Sequence, residues 1–203
     1  MRLTKAYFFI VFILIIDQFS KVFVKTNFIL GEDVEVFRWF KILFIENEGM
    51  AWGTKIPGEY GKLFLTLFRL VAISGIGYWL WKAERENGSN YLLVAISLIF
   101  AGALGNIIDS VFYGVIFNDS HHQLATFNNP NPYGTWFHGK VVDMFYFPIW
   151  QGTLPSWIPV WGGKPFTFFN AIFNVADFAI STGVGILIFF NKKAFGEKHY
   201  WAN

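Results

Sequence analysis

Four stretches of this chain, at about 5–25, 62–81, 91–112 and 168–190, are mostly apolar and close to the length that a membrane demands. A helix needs roughly 20 such residues to cross the hydrocarbon layer. Charged residues make up only 15% of the sequence, 54% is hydrophobic, and the mean hydropathy is +0.41. A soluble domain carries about 25% charged residues. The sequence therefore predicts an all-α integral membrane protein, a single membrane domain over residues 1–203. Met1-Arg2-Leu3-Thr4-Lys5 followed by the apolar run Ala6 to Ile16 has the shape of a signal peptide. No small-x-small site follows, and the run continues through Asp17 into Lys21-Val22-Phe23-Val24, so it reads as an uncleaved first span.

Charge sets the expected orientation. Arg2 and Lys5, the short connection with Lys82 and Arg85, and the tail with Lys192, Lys193 and Lys198 lie on one side. The positive-inside rule makes that side cytoplasmic, with both termini inside. The long segments, about 26–61 and 113–167, are then exoplasmic. Residues 28–61 are rich in β-branched and aromatic side chains that partly alternate with charge, which predicts a small exoplasmic β-sheet. Residues 113–167, rich in Asn, Pro, Gly and Trp, read as extended, ordered loop with interfacial aromatics such as Trp150, Trp157 and Trp161. A net charge of +2 excludes nucleic acid as a partner class.

An ionisable residue inside a span is costly and marks function by default. With this orientation Asp17, Lys21, Arg69, Asn106, Asp109, Asn174 and Asp177 all fall toward the exoplasmic end of their spans. Asp143 sits just outside them, in the apolar string Val141-Val142-Asp143-Met144-Phe145. Asp17 and Lys21 are four apart and share a helix face. Asn106 with Asp109, and Asn174 with Asp177, are three apart and do the same. With no Cys, thiol chemistry and Cys-ligated metals are excluded. The four His lie outside the spans, so no Ser-His-Asp triad is apparent, and no HExxH motif occurs. No metal and no cofactor is expected. What remains is a pair of carboxylates, one protonated and one ionised, able to activate water. Plainer roles stay open: Asp17 and Lys21 as a structural ion pair, Asp109 as a cap for the following loop, Arg69 reaching lipid phosphate. A small transporter, or a factor that binds lipidated proteins without cutting them, also remains open.

Five motifs occur in order along the chain: Asp17-Gln18-Phe19-Ser20-Lys21, Asn47-Glu48-Gly49-Met50-Ala51-Trp52, Gly102 to Asp109 in a G-x-x-G-N-x-x-D pattern, Val141-Val142-Asp143-Met144-Phe145, and Phe173-Asn174-Val175-Ala176-Asp177. Together they resemble the lipoprotein signal peptidase (signal peptidase II) family. The resemblance implies an aspartyl endopeptidase of the bacterial inner membrane, with Asp143 and Asp177 as its dyad. Its substrate would be a diacylglyceryl-modified prolipoprotein, cut just before the lipidated Cys. Asn47, Asn106 and Asn174 would be supporting polar groups, Gly49, Asp109 and Arg69 further substrate-binding or supporting residues, and Asp17 and Lys21 structural or supporting. Membrane lipid and globomycin-type inhibitors are the other implied partners. The chain departs from the pattern at Ser110, where the family has Arg. Arg69, Lys140 and Lys21 are the candidates to supply that positive charge. It also departs at Met50 and Trp52, and in longer stretches on both sides of Asp143.

Overall fold

The computed structural model describes residues 3–48 and 60–196. Helix α1 (Leu3–Asn27), helix α2 (Gly61–Arg85) and helix α3 (Asn90–Ile108) are apolar along their length. Helix α3 runs on through a π-helical turn, Asp109–Tyr113, into α4 (Gly114–Ile116). Counted that way, these three helices are long and apolar enough to cross a membrane. Helix α5 (Val175–Phe189) is apolar but only 15 residues long, and α6 (Asn191–Phe195) follows it.

The fourth apolar stretch is thus helical only from Val175, not from 168. Phe168 ends a strand, and Ile172–Phe173 form another. Asn174 starts the helix. Its backbone is extended, its side chain accepts the Asp177 N–H at 2.9 Å, and the Asp177 carboxylate accepts the Asn174 N–H at 3.4 Å. This reciprocal capping box satisfies two donors that a helix start leaves orphaned. Hydropathy alone cannot tell an apolar strand from an apolar helix turn, so the boundary is invisible to it.

Helix α3 is the centre of the bundle, packed against α1, α2 and α5. It meets α5 through small residues. A Cβ on Gly102 would lie 2.2 Å from the Ala176 carbonyl oxygen, and one on Gly183 would lie 2.6 Å from that of Ala95. Without a solvent-driven hydrophobic effect between helices in lipid, such close backbone approach supplies the packing. Ile10, Ile13, Leu80, Leu93 and Ile96 fill the rest. Phe8, Phe12, Phe64, Val71, Ile188 and Phe189 point outward and exposed, as a lipid-facing surface would have them.

A four-stranded antiparallel sheet lies at the Asn27 end of α1, in the order β1 (Asp33–Phe37), β2 (Phe40–Asn47), β3 (Val141–Tyr146), β6 (Ile172–Phe173). The segment read as loop over 113–167 therefore contains β3. It also contains the separate hairpin of β4 (Trp150–Thr153) and β5 (Pro165–Phe168). The connection into β3 is zipped onto the end of α3. The N–H groups of Tyr133, Gly134, Phe137 and Gly139 bond the carbonyls of Phe117, Gly114, Val111 and Ser110 at 2.9–3.1 Å. The π-turn loosens the helical ladder, and this segment satisfies carbonyls there. Only glycine fits at 139, since a Cβ would lie 2.0 Å from the Asp109 carbonyl oxygen.

Candidate active site

The polar groups of the spans converge where α1, α3 and α5 meet the sheet. The Lys21 ammonium lies 2.9 Å from Asp17 Oδ2, 2.8 Å from Asp109 Oδ2 and 2.9 Å from Asn106 Oδ1. None of these three charged side chains is more than 1% exposed. The other Asp17 oxygen accepts the Ala176 N–H at 2.9 Å, in the first turn of α5. A carboxylate there also answers the positive end of the helix dipole. Asp109 does not cap a following loop. Its carboxylate faces Lys21 and Gln18 and accepts the Val142 N–H at 3.3 Å, tying α3 to β3. Gly105 gives Asp17 its room, because a Cβ there would come within 2.5 Å of Asp17 Oδ2.

Asp143 and Asp177 lie beside this cluster and are linked through amides. Asn174 Nδ2 donates to Asp143 Oδ1 at 2.7 Å, and Asn47 Nδ2 donates to Asp143 Oδ2. Asn106 Nδ2 donates to Asp177 Oδ1 at 2.8 Å. The Asn106 carbonyl oxygen in turn accepts from Lys21 and from Asn174. An amide both donates and accepts, which lets Asn106 and Asn174 sit between cation and carboxylates with every hydrogen bond correctly directed. Burial pushes the Asp143 carboxyl up to about 8, and the charge of Asp177 adds to that rise. Two nearby carboxylates in a poorly solvated site cannot both ionise at low cost.

Asp17, Lys21, Asn47, Asn106, Asp109, Asp143, Asn174 and Asp177 are therefore brought together. Half-buried Arg69 stands within electrostatic reach of Asp177, while Lys140 turns away to Glu46 at 3.5 Å. Gly49 lies outside the described residues. Sequence reading missed Gln18, whose amide donates to Asp17, Asp109 and the Gly105 carbonyl and accepts from the Tyr113 hydroxyl. It also missed a second buried cluster. The Lys25 ammonium pairs with Glu46, bonds Ser120 Oγ at 2.9 Å and sits 4.9–5.8 Å from the ring centres of Phe44, Phe117 and Tyr133. Gln18 lies inside the first motif, but its role depends on Asp109 and Tyr113, and that of Lys25 on Glu46 and Ser120, all distant in sequence.

An apolar helical bundle with a network of buried acids and amides at one end, roofed by a small sheet, defines a membrane enzyme by architecture. Two solved structures described as a bacterial membrane enzyme share it. One has a TM-score of 0.65 at 25% identity, covering 99% of this chain and 96% of that one. The other has a TM-score of 0.63 at 26% identity, with 94% of each chain covered. Residues 9–191 match the family described as signal peptidase (SPase) II, and the chain belongs to that family of membrane proteases. The lipoprotein signal peptidase of Porphyromonas gingivalis (strain ATCC 33277) is 50% identical over 181 residues, which cover 88% of this chain and 79% of the relative. That of Amoebophilus asiaticus is 39% identical, with 86% and 72% covered.

Proposed function

We propose that this protein is an aspartyl endopeptidase that removes signal peptides from diacylglyceryl-modified prolipoproteins, cutting just before the lipidated Cys. The observation that carries the reading is the pair Asp143 and Asp177, joined through Asn174 and set beside the lysine-paired Asp17 and Asp109. In this reading the chain crosses the bacterial inner membrane four times, α5 with α6 making the last and shortest crossing. Both termini are cytoplasmic and the sheet lies at the exoplasmic face.

The chemistry follows from the environment of each carboxyl. Asp143, held protonated near neutral pH, donates a hydrogen bond to the scissile carbonyl and polarises it. Asp177 takes a proton from the attacking water. The tetrahedral intermediate collapses as the leaving amine gains a proton from the dyad. Asn47, Asn106 and Asn174 keep both carboxyls oriented throughout. The diacylglyceryl chains would lie along the apolar outer faces of the helices.

The test is incubation of the purified, lipid-reconstituted protein with a diacylglyceryl-modified precursor peptide. Cleavage should survive EDTA, stop with globomycin and be lost in Asp143→Asn and in Asp177→Asn, each of which stays folded. Full cleavage by either variant refutes the dyad. Flux of ions or solutes through proteoliposomes without peptide cleavage would replace the protease with a transporter.

A further inference from the structure

Between β3 and α5 the chain makes an excursion that the site does not use, the β4–β5 hairpin and its tip. From Met144 to Ala176 the only charged residue is Lys164. The tip is exposed and apolar: Trp157 is 79% exposed, Val160 82% and Trp161 61%. Trp150, Phe166 and Phe168 on the strands are exposed as well. An apolar surface of this kind on a chain in water marks a contact still to be made.

The backbone of the tip is closed upon itself. Leu154 N–H bonds the Lys164 carbonyl at 3.0 Å, and Gly163 N–H bonds that of Leu154 at 2.9 Å. Inside this neck, Ile158, Gly162 and Lys164 donate to Pro155, Ile158 and Trp161. Trp161 N–H reaches back to the Pro159 carbonyl at 2.8 Å, a tight three-residue turn that holds Val160 at φ 69°. A β-branched residue in that region is strained. Here the strain accompanies a turn that satisfies the N–H groups of Ile158, Trp161, Gly162, Gly163 and Lys164 within the tip and leaves Trp157, Val160 and Trp161 exposed. Lipid requires that arrangement, because unbonded N–H and C=O groups are costly where water is scarce.

Connectivity fixes what covers this surface. Strand β6 precedes α5 by Asn174 alone, and α5 presents Phe178, Ile188 and Phe189 on its outer face. The hairpin is thus rooted at the level where the bundle leaves its apolar surroundings. Its strands are only four residues long, about 13 Å at 3.3 Å per residue, so the neck of the tip lies within that distance of the root. Trp and other aromatics concentrate at this boundary in membrane proteins. Residues 117–140 are mixed instead, exposing Asp119, His121, His122, Gln123 and Asn131 among Leu124, Phe127 and Trp136.

We propose that the β4–β5 hairpin is an interfacial anchor, its tip immersed among headgroups and upper acyl chains of the leaflet next to the site, with Lys164 reaching lipid phosphate. The proposal rests on the bundle spanning a membrane and not on the protease reading. The chain has no Cys, so single cysteines can be placed cleanly in the full-length protein. Trp157→Cys and Trp161→Cys, nitroxide-labelled in nanodiscs, should show oxygen accessibility above that of a water-soluble nickel complex, at a depth of about 5 Å or more. Val71→Cys on the outer face of α2 gives the lipid reference and His122→Cys the water reference. Nickel-dominated accessibility at 157 and 161, matching His122→Cys, overturns the anchor. So does protection from both reagents with dipolar coupling between labels, which would place a second copy on this face. Precursor cleavage measured on the same samples keeps failure of the anchor distinct from failure of the protease reading.

Discussion

Lys21 and Lys25 stand one turn apart on α1, and neither has any exposed surface, yet their charges are met by different means. Lys21 is held by two carboxylates and an amide, all from the helices of the bundle. Lys25 is held by a carboxylate from β2, a hydroxyl from the 117–140 segment and the faces of three aromatic rings. One lysine knits α1 to α3, and the other knits α1 to the roof. Their surroundings also differ in what removal would leave behind. Beside Lys21 two buried acids would lose the ammonium that bonds them both. Beside Lys25 a single acid would keep Ser120 at 3.1 Å and Lys140 at 3.5 Å.

That asymmetry can be broken experimentally. Lys21→Met should cost about 3–5 kcal/mol, the range for stranding buried charge. It should also strongly reduce cleavage without removing it, the two effects read on reconstituted protein by unfolding in denaturing detergent and by peptide assay. Adding Asp109→Asn should return part of the stability. Gly105→Ala, which pushes a Cβ against Asp17, should cost about 1–3 kcal/mol through overpacking of the same cluster. Lys25→Met should cost only about 1–2 kcal/mol, because the rings accept a thioether chain and Glu46 keeps two partners. If it proves as damaging as Lys21→Met, the two sites are equivalent and the contrast fails.

The smallest effect is on pH dependence. The folded Asp143 carboxyl holds its proton up to about 8, against an ordinary value of about 3.9 in an unfolded chain. Cleavage that needs this proton should decline as pH rises through about 8. Between those two values the folded state binds a proton that the unfolded state has lost, so stability also declines as pH rises there. The charge of Lys21 opposes the rise at Asp143. Any Lys21→Met protein that remains active should therefore show its alkaline limb at higher pH, while Lys25→Met leaves the limb where it is.

Much of this is written in local pattern. The apolar runs announce α1, α2 and α3, and the four-residue spacing of Asp17 and Lys21 places them within reach of each other. The alternation over 28–61 announces β1 and β2. What local pattern cannot carry is long-range partnership. Nothing beside Lys25 in the sequence marks its buried partners, because Ser120 lies 95 residues away. Phe168 to Phe173 reads as the start of a span, because hydropathy is blind to the cap at Asn174. The π-turn at Asp109 has no sequence mark, and only the segment zipped onto it explains why α3 continues to Ile116.

The bond from Asp17 to the Ala176 amide joins residues 159 positions apart. A ribosome delivers the first of them long before the second. Until α5 arrives, Asp17 lacks the Ala176 amide and Asn106 lacks the Asp177 carboxylate, and the second carboxyl of the proposed dyad is missing. If Asp143 and Asp177 form the dyad, a chain still emerging without α5 has no cleaving power, and the capacity to cut arises only when the last helix docks.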